Sequence, residues 1–129
     1  MEPNLNTPEA ISQTFNYLVG TWQVEGVIVT TEIDALIGQL DLQEQQYNAM
    51  YTNCYWVLDP DKSASLTIND PYSGQQQTII SEFDCNSTQV ALLINGTPTL
   101  YEVLFLEGQM VLINTAPTNT FYYVFIKRA

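Results

Sequence analysis

A chain of 129 residues, 46% hydrophobic and 12% aromatic, has the length and apolar content for one domain (1–129) built around one core. Its net charge of −11 comes from 14 acidic side chains against Lys62, Lys127 and Arg128, so it repels phosphate backbones and anionic head groups. That argues against nucleic acid and membrane insertion as partners and leaves a basic partner or cationic ligand open.

No run approaches the roughly 18 apolar residues of a membrane-spanning helix. The start, Met1-Glu2-Pro3-Asn4, has neither the basic nor the apolar region of a signal peptide, which fits a cytoplasmic chain or an exported one whose signal has been removed. There is no histidine. His-ligated haem and zinc and the Ser-His-Asp and Cys-His nucleophile systems are therefore excluded, and no metal or cofactor is expected. Cys54 and Cys85 do not form a Cys-x-x-Cys pair. A disulfide between them stays open, but a strand is expected to separate them, and free, buried thiols fit better.

Residues 1–6 are polar and expected to fray. Thr7-Pro8-Glu9 is a helix start, with Thr7 as cap and Pro8 at the first helical position. Ile11, Phe15 and Leu18 follow on one helical face and Gly20 is the stop, which predicts a helix over 8–18. From Trp22 the period is two: Trp22, Val24, Gly26, Ile28 and Thr30 share a face, and Gly26 can relieve a bend. Residues 34–38 form a connection with room for one helical turn. Alternation of Leu40 and Leu42 predicts a strand over 39–46, and 49–58 reads as another.

Asp59-Pro60-Asp61-Lys62 is a turn. Short strands are expected at 65–68, 78–83 and around Val90, Leu92 and Ile94, with loops at 69–77 and 84–87. Asn95-Gly96 is a two-residue hairpin signal. Strands over 99–106, 110–113 and 121–126 complete the chain. This gives about eight or nine short strands joined by tight turns, an all-β antiparallel meander. Closure into an up-and-down barrel removes its exposed edges; a two-sheet sandwich is the alternative.

Gly20 and Trp22 form a Gly-x-Trp at the first strand behind a short helix, and Arg128 stands on the last strand. This set resembles the lipocalin signature, within the calycin superfamily, and is similar to the short bacterial lipocalin-like domains. The resemblance implies that the helix caps one end of the barrel and that Arg128 packs across Trp22 in its floor. Gly20, Trp22 and Arg128 are thus expected to close the structure. Fatty-acid-binding proteins share the length and Gly-x-Trp but insert a helical pair after the first strand, for which only about 34–38 is available. Nitrobindin-like barrels resemble Leu18-Val19-Gly20-Thr21-Trp22 and Glu25-Gly26, but their haem needs a histidine.

The function that follows is a small-molecule-binding barrel for an apolar or aromatic ligand. Tyr51, Tyr55, Trp56, Tyr101, Phe121 and Tyr123 are the aromatic inventory of such a cavity. Parity counted from Trp22 assigns Ile28, Trp56, Phe83, Leu92, Leu104 and Tyr123 to its lining. The first alternative is a filled barrel acting through its surface or by self-association, with Val27, Val29, Val103 and Phe105 as an outward apolar patch. The second is a cofactor-free isomerase or lyase using Glu102 or a tyrosine hydroxyl as acid or base. No nucleophile–base pair supports an enzyme, and no catalytic residue is assigned. Asn86-Ser87-Thr88 and Asn95-Gly96-Thr97 match glycosylation sequons. Oligomeric state stays open.

Overall fold

The computed structural model describes residues 7–70, 72–94 and 97–128. The fraying expected of 1–6 and the turn expected at Asn95-Gly96 lie outside them. The chain forms a closed antiparallel barrel whose eight strands follow one another in sequence order. They are β1 (Gly20–Thr31), β2 (Tyr55–Leu58), β3 (Ser63–Asn69), β4 (Gln76–Cys85), β5 (Gln89–Ile94), β6 (Thr97–Leu106), β7 (Gln109–Thr115) and β8 (Asn119–Lys127), and β8 returns to pair with β1. The sandwich alternative is thereby discarded.

Helix α1 (Pro8–Leu18) starts where Thr7 accepts a hydrogen bond from the Ala10 N–H on its hydroxyl, 3.2 Å. Gly20 follows at φ +144°, a conformation that needs glycine, and turns the chain into β1. The helix lies across the end of the barrel where the β4–β5 turn sits. Phe15 stacks on Phe83 with centroids 5.6 Å apart, and the Thr14 hydroxyl donates to the Ser87 carbonyl at 2.8 Å. Leu18 is fully buried, and its carbonyl accepts the Trp22 indole N–H at 2.9 Å. The floor is therefore built from α1, Trp22 and Phe83.

The connection after β1 departs from the sequence reading. Residues expected as strand over 39–46 and at the start of 49–58 form helix α2 (Leu40–Tyr51), preceded by a 3-10 helix over Asp34–Gln39. This removes one strand from the expected count. It also supplies the helical pair whose absence had set the fatty-acid-binding barrels apart. The alternation of Leu40 and Leu42 was misleading, because Leu42 is solvent-exposed. Leu40, Glu44, Tyr47, Asn48 and Tyr51 share one helical face, and four of the five carry the contacts to the barrel described below. Gln- and Glu-rich composition also favours helix here.

α2 completes a wall that the strands leave open. β1 pairs with β2 only from Gly20↔Leu58 to Gln23↔Tyr55, followed by Val24 N–H to the Cys54 carbonyl at 3.0 Å. Beyond that point the β1 edge faces α2. The Asn48 carboxamide takes the place of a strand: its Oδ1 accepts from Val27 N–H at 2.9 Å and its Nδ2 donates to the Val27 carbonyl at 3.0 Å. One turn earlier, Glu44 Oε1 accepts from Val29 N–H at 2.8 Å. The Asn69 amide fastens the far end of the helix to β3 by donating to the Ala49 and Thr52 carbonyls, each at 2.9 Å. A β-carbon on Gly26 would sit 3.3 Å from Asn48 Oδ1, so a side chain there would press the amide back by a few tenths of an ångström.

The register of β1 against β8 shifts between Val24 and Gly26. This bulge reverses the side-chain parity in mid-strand. Trp22 and Val24 point inward before it, and Val27 and Val29 point inward after it. Val27, Val29, Val103 and Phe105, expected as an outward patch, instead belong to the core or pack against it.

Replacing Asn48 with Ala leaves the Val27 N–H and carbonyl without partners. Unfolding in urea should show a loss of about 1–3 kcal/mol. Amide exchange should accelerate first at Val27 and Val29, with the floor around Trp22 unaffected.

Candidate functional site

The barrel interior is aromatic. Trp56 on β2 packs against Phe125 on β8 with centroids 4.9 Å apart, and Tyr51 from α2 meets Trp56 at 6.2 Å. Tyr123 receives Tyr51 and Tyr101 edge-on, each at 5.8 Å. Toward the mouth, Tyr47 from α2 tilts against Phe121 at 5.0 Å. The Gln43 side-chain carbonyl accepts from the Asn119 amide at 2.6 Å. The second helix thus inserts two tyrosines into the wide end of the barrel.

The polar atoms of this cluster are under-satisfied. The Trp56 indole N–H and the Asn119 side-chain carbonyl are buried without a hydrogen-bond partner among the described residues. Desolvation, followed by the neighbouring phenols, pushes Tyr101 up to about 12 and raises Tyr51 and Tyr123 further still. Each hydroxyl sits in low dielectric beside other hydroxyls, where the phenolate is disfavoured. Among the described residues the buried polar side chains are Thr14, Ser81 and Asn119, none of them ionisable.

Of the residues assigned from sequence to the lining, Trp56, Phe83, Leu92 and Tyr123 face inward and are buried. Ile28 and Leu104 do not; each is 51% exposed on the outer wall. The bulge after Val24 turned Ile28 outward. β6 is apolar on both faces, so parity carried from Trp22 through five turns could not choose between Leu104 and its neighbours; Tyr101 fills the interior instead. The inward set also divides. Trp56 and Tyr123 are joined through Tyr51, whereas Phe83 belongs to the floor with Phe15. Tyr47 was missed; its signal was the four-residue spacing to Tyr51, hidden by reading the segment as strand. Tyr55, from the aromatic inventory, points to solvent.

The floor also differs from the expectation for Arg128. The cation over Trp22 is Lys127, with its Nζ 5.3 Å from the ring centroid. Lys127 is the register partner of Trp22, so it shares that face. Arg128 is one residue further and points to the other side, where its Nε donates to Gln23 Oε1 at 2.6 Å. Glu102, the candidate acid, is exposed on the outer face of β6. Cys54 and Cys85 are free. Among the described residues, no group of three or more Cys, Asp or Glu is placed to hold a metal ion. No helix among them is long and apolar enough to cross a membrane.

Two clefts flank α2. One of about 250 Å³ opens between β1 and the helix and reaches Tyr51 past Gly26, Asn48 and Arg128. A larger groove of about 770 Å³ runs between the helix and the β3–β4 loop. Two of its amides are engaged: Asn69 holds the Ala49 and Thr52 carbonyls and Gln76 holds that of Asn53 at 3.0 Å.

No family model and no curated protein matches the chain. Among solved structures, bovine odorant-binding protein in complex with its natural ligand aligns with a TM-score of 0.52 at 14% identity, covering 100% of this chain and 76% of that one. The fold is lipocalin-like. In this lipocalin-like barrel the helix after β1 carries two of the tyrosines that fill the interior.

The phenols make the lipocalin-like barrel sensitive to alkali. A phenol in the unfolded chain ionises near 10.0, while Tyr51, Tyr101 and Tyr123 hold their protons to higher pH when folded. The folded state therefore binds more protons above pH 10, and stability must fall as pH rises from about 10 toward 12; below about 10 these groups contribute no pH dependence. Urea midpoints measured across this range should show the decline, and Tyr123→Phe should flatten it.

Proposed function

We propose that the chain is a binding protein that takes a neutral, apolar or aromatic small molecule with hydrogen-bond acceptors into the barrel beneath α2. The observation that carries this reading is the buried, unpartnered Trp56 N–H within a cluster of tyrosine hydroxyls. Buried polar groups are hydrogen-bonded in roughly nine cases of ten, so an orphan donor in an aromatic enclosure favours a guest with an acceptor. The buried side chains carry no charge, which disfavours an ionised ligand there. The lipocalin-like plan supports the same reading, since barrels of this size can hold one small ligand.

α2 is the element that admits the ligand. Side-chain hydrogen bonds from Asn48 and Glu44 tie it to β1 in place of a strand ladder, and the 250 Å³ cleft beside it already reaches Tyr51. Binding rather than catalysis is the activity proposed. Glu102 stands outside the barrel, and the phenols, driven above their ordinary range, are poor bases at neutral pH.

Titration with the neutral fluorophore N-phenyl-1-naphthylamine should give a saturable 1:1 fluorescence increase, with a matching mass increment in native mass spectrometry. Trp56→Phe should leave the fold intact and weaken acceptor-bearing competitors by about tenfold, the value of one buried hydrogen bond. A chain that gives no saturable signal and flies only at its bare mass would sink the proposal.

A further inference from the structure

The outer face of β5–β8 is apolar to a degree that ligand binding inside the barrel does not explain. Residues 89–126 contain only two charged side chains, Glu102 and Glu107, and no base. The strand register aligns their outward residues in rows across the wall. One row is Leu104↔Val111 on β6 and β7, continued by Val111↔Val124 onto β8. Leu93, Leu100, Leu104 and Leu106 are 40%, 55%, 51% and 51% exposed. With the half-buried Val111 and Val124 beside them, they form a contiguous apolar surface of the kind that marks an interaction site. The inward residues of the same strands fill the core, so the wall is not borrowed from it.

We propose that this wall is a self-association face, on which a second copy of the chain packs sheet against sheet. Its shape, a twisted four-stranded surface, suits aligned sheet packing. Charge selects the second copy as occupant. Of the 14 acidic residues, 12 lie outside 89–126, so two molecules meeting by this wall join their least charged faces and hold their acidic surfaces apart. The one carboxylate within the rows is Glu102, the register partner of Ile113 and flanked on its own strand by the outward Leu100 and Leu104. Packing another wall over Glu102 desolvates it with no base from the same face to pair with, so Glu102 limits the affinity.

Sedimentation velocity over a roughly hundredfold dilution series, with circular dichroism as the folding control, tests this. The expected result is a concentration-dependent dimer. Leu104→Glu should weaken it by more than about tenfold, and Glu102→Gln should tighten it by about tenfold, because one adds and the other removes a charge to be desolvated. Both side chains are exposed on the strand's outer face, so neither change disturbs the core. The tightening separates a specific interface from loss of fold, which would not strengthen a discrete dimer. A wild-type chain and a Glu102→Gln variant that both remain monomeric overturn the proposal, as does a dimer indifferent to both substitutions. A monomer that floats with phosphatidylcholine vesicles in a Leu104-dependent manner assigns the wall to lipid and overturns it as well.

Discussion

The paired hydrogen bonds between the Asn48 carboxamide and the backbone of Val27 hold the architecture together at its weakest seam. An up-and-down barrel owes its stability to having no free edge. Here β1 meets β2 over four residue pairs and then runs on to Thr31 paired with β8 on one side and with no strand on the other. A primary amide presents a donor and an acceptor side by side, as a peptide group does, so a single asparagine on a helix can stand in for a strand at that point. Glu44 repeats the device for one further N–H. The seam is closed by side chains rather than by a ladder.

The two ends of the barrel are consequently unlike. At the floor, α1 is clamped by the Trp22 indole on Leu18, by Thr14 on Ser87 and by the stacking of Phe15 on Phe83. Every polar group named there has a partner. Above it, α2 brings Tyr47 and Tyr51 into an aromatic interior, and two buried groups lack partners among the described residues: the N–H of Trp56, which pairs with Trp22, and the carbonyl of Asn119, which pairs with Thr31 at the far end of β1.

The acidity of the chain is also unevenly placed. Charge is sparse on the strands from β5 to β8, which carry only Glu102 and Lys127, and their outer face exposes several leucines. On a barrel both faces of a strand are written by alternate residues. β6 shows the result: Tyr101, Val103 and Phe105 pack inward or toward the core while Leu100, Leu104 and Leu106 face out. Such a strand does not reveal its inner face by hydrophobicity.

That ambiguity marks the boundary between what was legible in the sequence and what was not. Thr7-Pro8 and Gly20 bound the first helix because capping and positive φ are local requirements, met by particular residue types. Turn-rich spacing specified an antiparallel meander, and the absence of histidine removed whole classes of chemistry. The second helix was lost because Leu40 and Leu42 mimic a period of two, while the stripe that matters mixes Glu44 and Asn48 with Leu40, Tyr47 and Tyr51. Those polar residues became core-facing only because β1 lacks a neighbour there, a long-range fact. The same holds for Lys127 in place of Arg128 over Trp22, for Ile28 turned outward by a bulge, and for Leu104 on the wrong side of β6. Local chemistry in the sequence determined the helix ends, the turns and the class of fold. Which face of each strand looks inward, and which groups are left without partners, was decided by the register of closure, because a one-residue shift anywhere along a strand exchanges its two faces.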